Sequence, residues 1–396
     1  GGWTGEWQGV DKHSFPPKKE YKDGWFQESS SYTILEYLRL QQQEQSSSDD
    51  DKDDEDEEGG DKPIWNVYYS CGVDIMGHDC SASSNDNDSS NTNKTKKPAA
   101  PSSGDVPASI QTVGDLIVQQ QDITTLIVCI GEESYTEKPG DIHSLQLPFG
   151  QERLVRYLDN ALMRLKRRKE TKLIVVYMGG RPRVLNEIAN HADAILIGFL
   201  PGPSAGQAFY DILVGKVNPS GRLPISYPLY ETDVNAGIPY FHAVSDQCTK
   251  DEGAELPHYE NAPCKVQWPF GHGLSYTTFE YSNLQINTNT LVYYYNNDEK
   301  KNDYNKDGLL TISVTVKNTG SFDGSETIML FTFDQYRSVT PEYKRLRHYQ
   351  KIFVPVGSFK SVTMNLNIED LKFVGPNDDR HYILQEGLQF QVGVGA

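Results

Sequence analysis

Four carboxylates fall within ten residues of one segment, Gly131-Glu-Glu-Ser-Tyr-Thr-Glu-Lys-Pro-Gly-Asp141: Glu132, Glu133, Glu137 and Asp141. A carboxyl group at the end of a buried strand can give or take a proton when its surroundings hold it in the required state. The same composition also suits a solvated acidic turn, and spacing alone leaves both readings open. Other chemistries have less to stand on. The chain has no CxxC pair, no metal-ligand spacing, no phosphate-binding Gly-rich loop and no Gly-x-Ser-x-Gly elbow. Phosphoryl transfer and serine hydrolysis therefore have no support.

The elements around this segment predict where it sits. Ile110, Val113, Leu116 and Ile117 recur at helical spacing, and the apolar run Thr124–Ile130 then leads straight into the acidic loop. A helix follows with Leu154, Leu158, Ala161, Leu162 and Leu165 on one face, and its basic end, Arg164 to Lys169, complements the helix dipole. The strand Lys172–Met178 precedes Gly179-Gly-Arg-Pro182 and a short helix; the strand Asp193–Leu200 precedes a helix over Ala205–Val214. Strands that are apolar throughout and alternate with helices predict a parallel sheet covered on both faces. Ligands of such sheets gather at the carboxyl ends of the strands, which is where the acidic loop falls.

Beyond about Tyr276 the period changes to two. Leu310, Ile312, Val314 and Val316 alternate with polar residues, as do Val362, Met364, Leu366 and Ile368, and then Leu388, Phe390, Val392 and Val394. This pattern predicts a β-sandwich of immunoglobulin or fibronectin type. Near the N-terminus, Ser30-Ser31 with Ile34, Leu35 and Leu38 reads as a capped amphipathic helix, and Trp65–Tyr69 as a short strand. Residues 46–62 and 81–108 are low-complexity insertions that read as solvated spacers.

The chain has 396 residues and a net charge of −18, but Asp49–Asp61 alone contributes −9. That balance argues against a nucleic-acid or anionic-membrane partner. The longest apolar runs are strand-sized, too short for a membrane helix. Of five cysteines, Cys71 and Cys80 flank one short loop and Cys248 and Cys264 another, while Cys129 lies inside an apolar run. Two local bridges and one buried thiol would suit an oxidising compartment. The sequons at Asn87 and Asn93 lie in a polar loop where a glycan fits. The start at Gly1, with no Met and no signal peptide, reads as a piece of a longer precursor.

The acidic segment followed by Leu145-Gln-Leu-Pro148 resembles the C-terminal α/β sandwich of glycoside hydrolase family three. Gly1-Gly-Trp-Thr-Gly-Glu-Trp-Gln-Gly9, Gly180-Arg-Pro182, Leu200-Pro-Gly with Gly206-Gln, Asn218-Pro-Ser-Gly-Arg-Leu-Pro224 and Pro269-Phe-Gly-His-Gly-Leu-Ser-Tyr-Thr277 match in the same order. The tail, with Ser338-Val-Thr, Lys344-Arg-Leu and Gln350-Lys-Ile-Phe, is similar to the fibronectin type III-like domain appended to many of these enzymes. The resemblance implies an α/β sandwich over residues 1–275 and an all-β sandwich over 276–396.

It further implies the C-terminal part of a retaining β-glucosidase or exo-β-glucanase that acts without a cofactor on terminal β-D-glucosyl residues. In that family an N-terminal barrel supplies the nucleophilic Asp. The pattern Gly-Glu-x-x-Tyr-x-Glu-x-x-Gly-Asp puts the acid/base at Glu137, leaving Glu132 and Glu133 as structural residues and Glu132 as the next candidate. Trp7 matches a tryptophan that stacks on the sugar beyond the cleaved bond, whereas Trp3 reads as core. No barrel precedes Gly1, so the nucleophile and most contacts of the −1 subsite are expected from a separate domain or chain. Lysosomal or extracellular placement accords with the cysteines and sequons. The alternatives are a non-catalytic glycan-binding or structural glycoprotein derived from the family, or a β-xylosidase or N-acetylglucosaminidase relative.

Overall fold

The computed structural model describes residues 68, 70, 108–133, 135, 137–202, 204–232, 266–288, 309–334, 344–374, 382–383 and 390–395. Ala108, at the end of the second insertion, already opens a helix, but the first insertion, the second up to residue 107, and the predicted N-terminal helix lie outside the described residues. So do four of the cysteines (Cys71, Cys80, Cys248 and Cys264), the sequon residues Asn87 and Asn93, and Trp3 and Trp7. Of the predicted strand Trp65–Tyr69 only Tyr68 is described, outside any strand, with its hydroxyl donating to Asp122. The chain divides into two compact units, Gly1–Val214 and Gly215–Ala396.

In the first unit, helix α1 (Ala108–Gln119) leads to β1 (Thr125–Gly131), α2 (Phe149–Arg164), β2 (Lys172–Met178), α3 (Asn186–His191), β3 (Ala194–Ile197) and α4 (Ala205–Leu213). The strands form a parallel sheet in the order β1-β2-β3, with Thr125 opposite Lys172 and Ile174 opposite Ala194. The apolar spacing places Leu154, Val155, Leu158 and Leu162 on the buried side of α2. On one face of the sheet Phe209 of α4 packs on Val176, with Ile127, Met178 and Leu196 around them. Leu173, Val175 and Tyr177 alternate with Val176 and are fully buried from the other face, as a two-sided strand requires.

β3 is shorter than the apolar run Asp193–Leu200 predicts. Gly198 N–H donates to the Tyr177 carbonyl, and Phe199 then takes φ 49°, which carries the chain off the sheet. Cys129 is a free thiol, and its surface is exposed rather than buried. It lies on β1, at the edge of the described sheet, while α4 covers the neighbouring Val176. The apolar atoms packed round the sulfur still disfavour a thiolate and push the thiol up to about 11.

At the strand starts, buried Asp159 accepts from Arg168 and meets His191 Nδ1 at 2.8 Å. Asp193 joins β2 to β3 by accepting from Leu173 N–H at 2.8 Å and Arg168 Nη1 at 2.7 Å. Burial alone would raise the Asp193 carboxyl, but these hydrogen bonds and the charges of Arg168 and Lys172 hold it below the ordinary range. A depressed carboxylate contributes stability above its unfolded pKa of about 3.9, lost as pH falls through the lower folded value. The urea midpoint of Asp193→Asn is therefore expected below that of the parent at pH 7. The gap should narrow as pH drops below about 4; a gap that stays constant to pH 2 would contradict this assignment.

The second unit carries the two-residue period into two antiparallel sheets, β4-β5-β8 and β11-β6-β7. These are β4 (Phe279–Ile286), β5 (Leu309–Asn318), β6 (Gly324–Asp334), β7 (Arg345–Val354), β8 (Phe359–Asn367) and β11 (Phe390–Gly395), with a small pair β9 (Phe373–Val374) and β10 (Tyr382–Ile383). The predicted stripes Leu310–Val316 and Val362–Leu366 meet Ile328 and Leu330 of β6 in one core. The result is a fibronectin type III-like sandwich. Within the same unit Arg222 Nη2 donates to both carboxylate oxygens of Glu326, each at 2.8 Å, and Tyr281 donates to that carboxylate, pinning the Asn218–Pro224 turn to β6.

Candidate functional site

The acidic loop leaves the carboxyl end of β1, and its root is fixed by three independent ties. Glu132 N–H donates to the Met178 carbonyl at 2.9 Å, extending the β1–β2 pairing by one residue. Gln151, 1% exposed, closes a two-bond ring with Gly131: Gly131 N–H donates to Oε1 and Nε2 donates to Gly131 O, each at 3.0 Å. The Glu132 side chain turns inward, 4% exposed, and accepts from Arg183 Nε at 2.6 Å and from the Arg181 backbone N–H at 3.2 Å.

Arg183 also donates to the carbonyls of Ser144 and Gln146, both at 2.9 Å, so one guanidinium ties the loop's first carboxylate to the chain returning from it. The segment following β2 completes the seat. Tyr177 hydroxyl donates to the Arg181 carbonyl at 2.8 Å, and the Arg181 guanidinium carbon sits 3.5 Å from the Tyr135 ring centroid. Two glycines permit this approach. A Cβ at Gly179 would run into the Tyr177 hydroxyl and Glu132, and one at Gly180 into the Tyr135 hydroxyl.

Glu132 and Glu137 thus occupy opposite situations. Glu132 is buried and committed as an acceptor to charged donors, a structural use of a carboxylate. Glu133 and Asp141 are exposed. Glu137 is exposed just before the short 3-10 turn Lys138–Gly140, at φ 48° and ψ −149°. That backbone region is close to one open only to glycine, and a side-chain-bearing residue held there costs about 1–3 kcal/mol. Such strain persists where the surrounding structure over-determines it, and it clusters at active sites. Among the described residues, no group of His, Cys, Asp and Glu could hold a metal ion, and no helix is long and apolar enough to cross a membrane.

The sequence placed the acidic loop and the Gly-Arg-Pro segment separately; the structure brings them together. Arg183, Gln151 and the Tyr135–Arg181 stack carry no role in the sequence reading. The available signal was charge: an Arg-Pro-Arg triplet after β2 and two adjacent acids after β1, on neighbouring strand ends of a parallel sheet.

A parallel sheet with an acidic loop at its strand ends, joined to a fibronectin-type sandwich, is the layout of the C-terminal region of certain glycoside hydrolases. The glycosyl hydrolase family 3 C-terminal domain matches residues 13–276, and the fibronectin type III-like domain matches residues 326–396. The chain belongs to glycosyl hydrolase family 3.

It is 31% identical over 297 residues to the lysosomal beta glucosidase of Dictyostelium discoideum, covering 73% of this chain and 32% of that protein. It is 34% identical over 231 residues to a periplasmic beta-glucosidase of Salmonella typhimurium, covering 57% of this chain and 27% of the relative. The crystal structure of a beta-glucosidase from Listeria innocua superposes with a TM-score of 0.57 at 25% identity, over 72% of this chain and 36% of that one. The chain spans about a third of the length of these relatives.

Proposed function

We propose that this chain is the C-terminal part of a retaining β-glucosidase or exo-β-glucanase, with Glu137 as its general acid/base. The supporting observation is the contrast within one loop: Glu132 is spent on fixing the root, while Glu137 is exposed in strained backbone at the carboxyl end of β1. In the first step Glu137 donates its proton to the glycosidic oxygen while an Asp of an N-terminal barrel attacks the anomeric carbon, forming a glycosyl-enzyme. In the second, Glu137 as carboxylate takes a proton from the water that releases the sugar. Retention requires the two carboxyl groups about 5 Å apart, so the site is completed across an interface with the barrel.

Trp7 is assigned to stacking on the leaving sugar. Secretory placement accords with the lysosomal and periplasmic relatives, and with it go bridges Cys71–Cys80 and Cys248–Cys264 and glycans on Asn87 and Asn93. A beta-xylosidase of Formosa agariphila, 30% identical over 224 residues, keeps a pentoside substrate as the second reading.

The test uses the parent protein, meaning the longest natural polypeptide that carries this chain. Nuclear magnetic resonance should show a β-glucoside releasing β-glucose first, faster than the matching β-xyloside is cleaved. Release of α-glucose would overturn retention, faster cleavage of the xyloside would move the substrate, and no cleavage of either would favour a glycan-binding protein.

A further inference from the structure

We infer that Arg181 is a positioning residue for the acid/base, acting through Tyr135 to hold the loop in the conformation that presents Glu137; this rests on the assignment of Glu137 above. Tyr135 lies two residues before Glu137, and the Arg181 guanidinium carbon sits over its ring, 3.5 Å from the centroid. The same guanidinium reaches back to the loop root, with Nε 3.4 Å from Glu132 Oε1. One planar cation thereby links the fixed start of the loop to Tyr135, two residues ahead of the strained turn. Arg181 itself is anchored through its main chain, which donates to Glu132 and accepts from Tyr177.

These contacts leave the Arg181 guanidinium only partly satisfied. Its Nε, paired with Glu132 Oε1 only at 3.4 Å, and its Nη1 are buried and make no hydrogen bond among the described residues. Unmade hydrogen bonds of a buried charged group cost free energy, and in native structures they call for an explanation. Arg183 already holds Glu132 through one hydrogen bond of 2.6 Å and the returning chain through the Ser144 and Gln146 carbonyls, so the root does not depend on a second guanidinium. What Arg181 adds is the stack on Tyr135, where a planar guanidinium is not replaceable by a lysine ammonium. Through that contact, on this inference, Arg181 limits the freedom of Tyr135 and so of the turn that keeps Glu137 at positive φ.

The test compares Arg181→Met, Arg181→Lys and Tyr135→Leu in the parent protein with Glu137→Gln run alongside. Two substrates are used: a disaccharide, whose leaving group needs the proton, and a dinitrophenyl β-glucoside, whose first step does not. Loss of positioning should slow disaccharide cleavage by roughly 10- to 100-fold in kcat with little change in KM, the size expected for a displaced catalytic group. The dinitrophenyl substrate should keep its burst of first-step product. Arg181→Lys should resemble Arg181→Met, and Tyr135→Leu should show the same selectivity without adding to it in the double variant.

Equal losses on both substrates, or full recovery in Arg181→Lys, would overturn the inference while a selective loss in Glu137→Gln kept the acid/base assignment standing. A Glu137→Gln variant without that selectivity would remove the assignment itself. If Arg181→Met fails to fold, the Tyr135→Leu result decides by the same criteria.

Discussion

Glu137→Gln in the parent protein is expected to lower the rate of glycosyl transfer from a disaccharide by roughly 10²–10⁴-fold, the contribution of a positioned general acid. The reason is specific to the leaving group. A sugar alkoxide departs slowly unless it is protonated as the bond breaks, and glutamine has no proton to give. A dinitrophenolate departs unaided, so its release in the first turnover should be nearly unchanged. The second step then stalls, because water needs a base that glutamine does not provide. A burst of phenolate followed by slow turnover is the pattern to look for in rapid-mixing kinetics. The same substitution at Glu132 should behave otherwise. Glu132 accepts from Arg183 and Arg181 at the loop root, so Glu132→Gln should lower the thermal midpoint and slow both substrates alike.

Purified residues 1–396 alone are expected to turn over an aryl β-glucoside no faster than the uncatalysed rate. A retaining mechanism needs the nucleophile and the acid/base on opposite sides of the scissile bond, and a lone acid contributes nothing to a glycosyl-enzyme it cannot form. The chain spans about a third of its relatives' length, and the nucleophile is assigned to a domain outside it. Mixing the chain with the separately produced barrel should restore activity in proportion to complex formed. Steady turnover by residues 1–396 would show that both carboxylates lie within them and would remove the divided site.

How much of this was legible in the sequence depended on the range of the interaction. β1 and β2 are apolar runs but for Thr125 and Lys172 at their starts, and the predicted spans differ from the observed ones by at most one residue. The stripe Leu310–Val316 likewise announced its strand and its buried face, because a period of two fixes both together. The end of β3 was not legible: Phe199 leaves the sheet at φ 49° for reasons of local backbone, in a run whose composition continues as strand. The exposure of Cys129 was not legible either, since its place on the outer strand of the described sheet leaves no mark on an apolar run.

The site itself divides in the same way. The acidic segment could be found because its carboxylates are neighbours in sequence. Their division of labour could not, because Glu132 meets Arg181 and Arg183 across 49 and 51 residues. Only the parallel pairing of β1 with β2, which sets Gly131 opposite Met178, brings those residues onto adjoining strand ends.

The most direct measurement of the acid/base assignment is the product formed by Glu137→Gln with a dinitrophenyl β-glucoside in the presence of azide. With the carboxylate gone, a small anion can reach the anomeric carbon of the glycosyl-enzyme and needs no base to attack it. Turnover should rise with azide concentration, and the product should be β-glucosyl azide, with its configuration retained. The parent protein should form glucose alone under the same conditions. No acceleration by azide, or azide products formed equally by the parent, would contradict the role of Glu137.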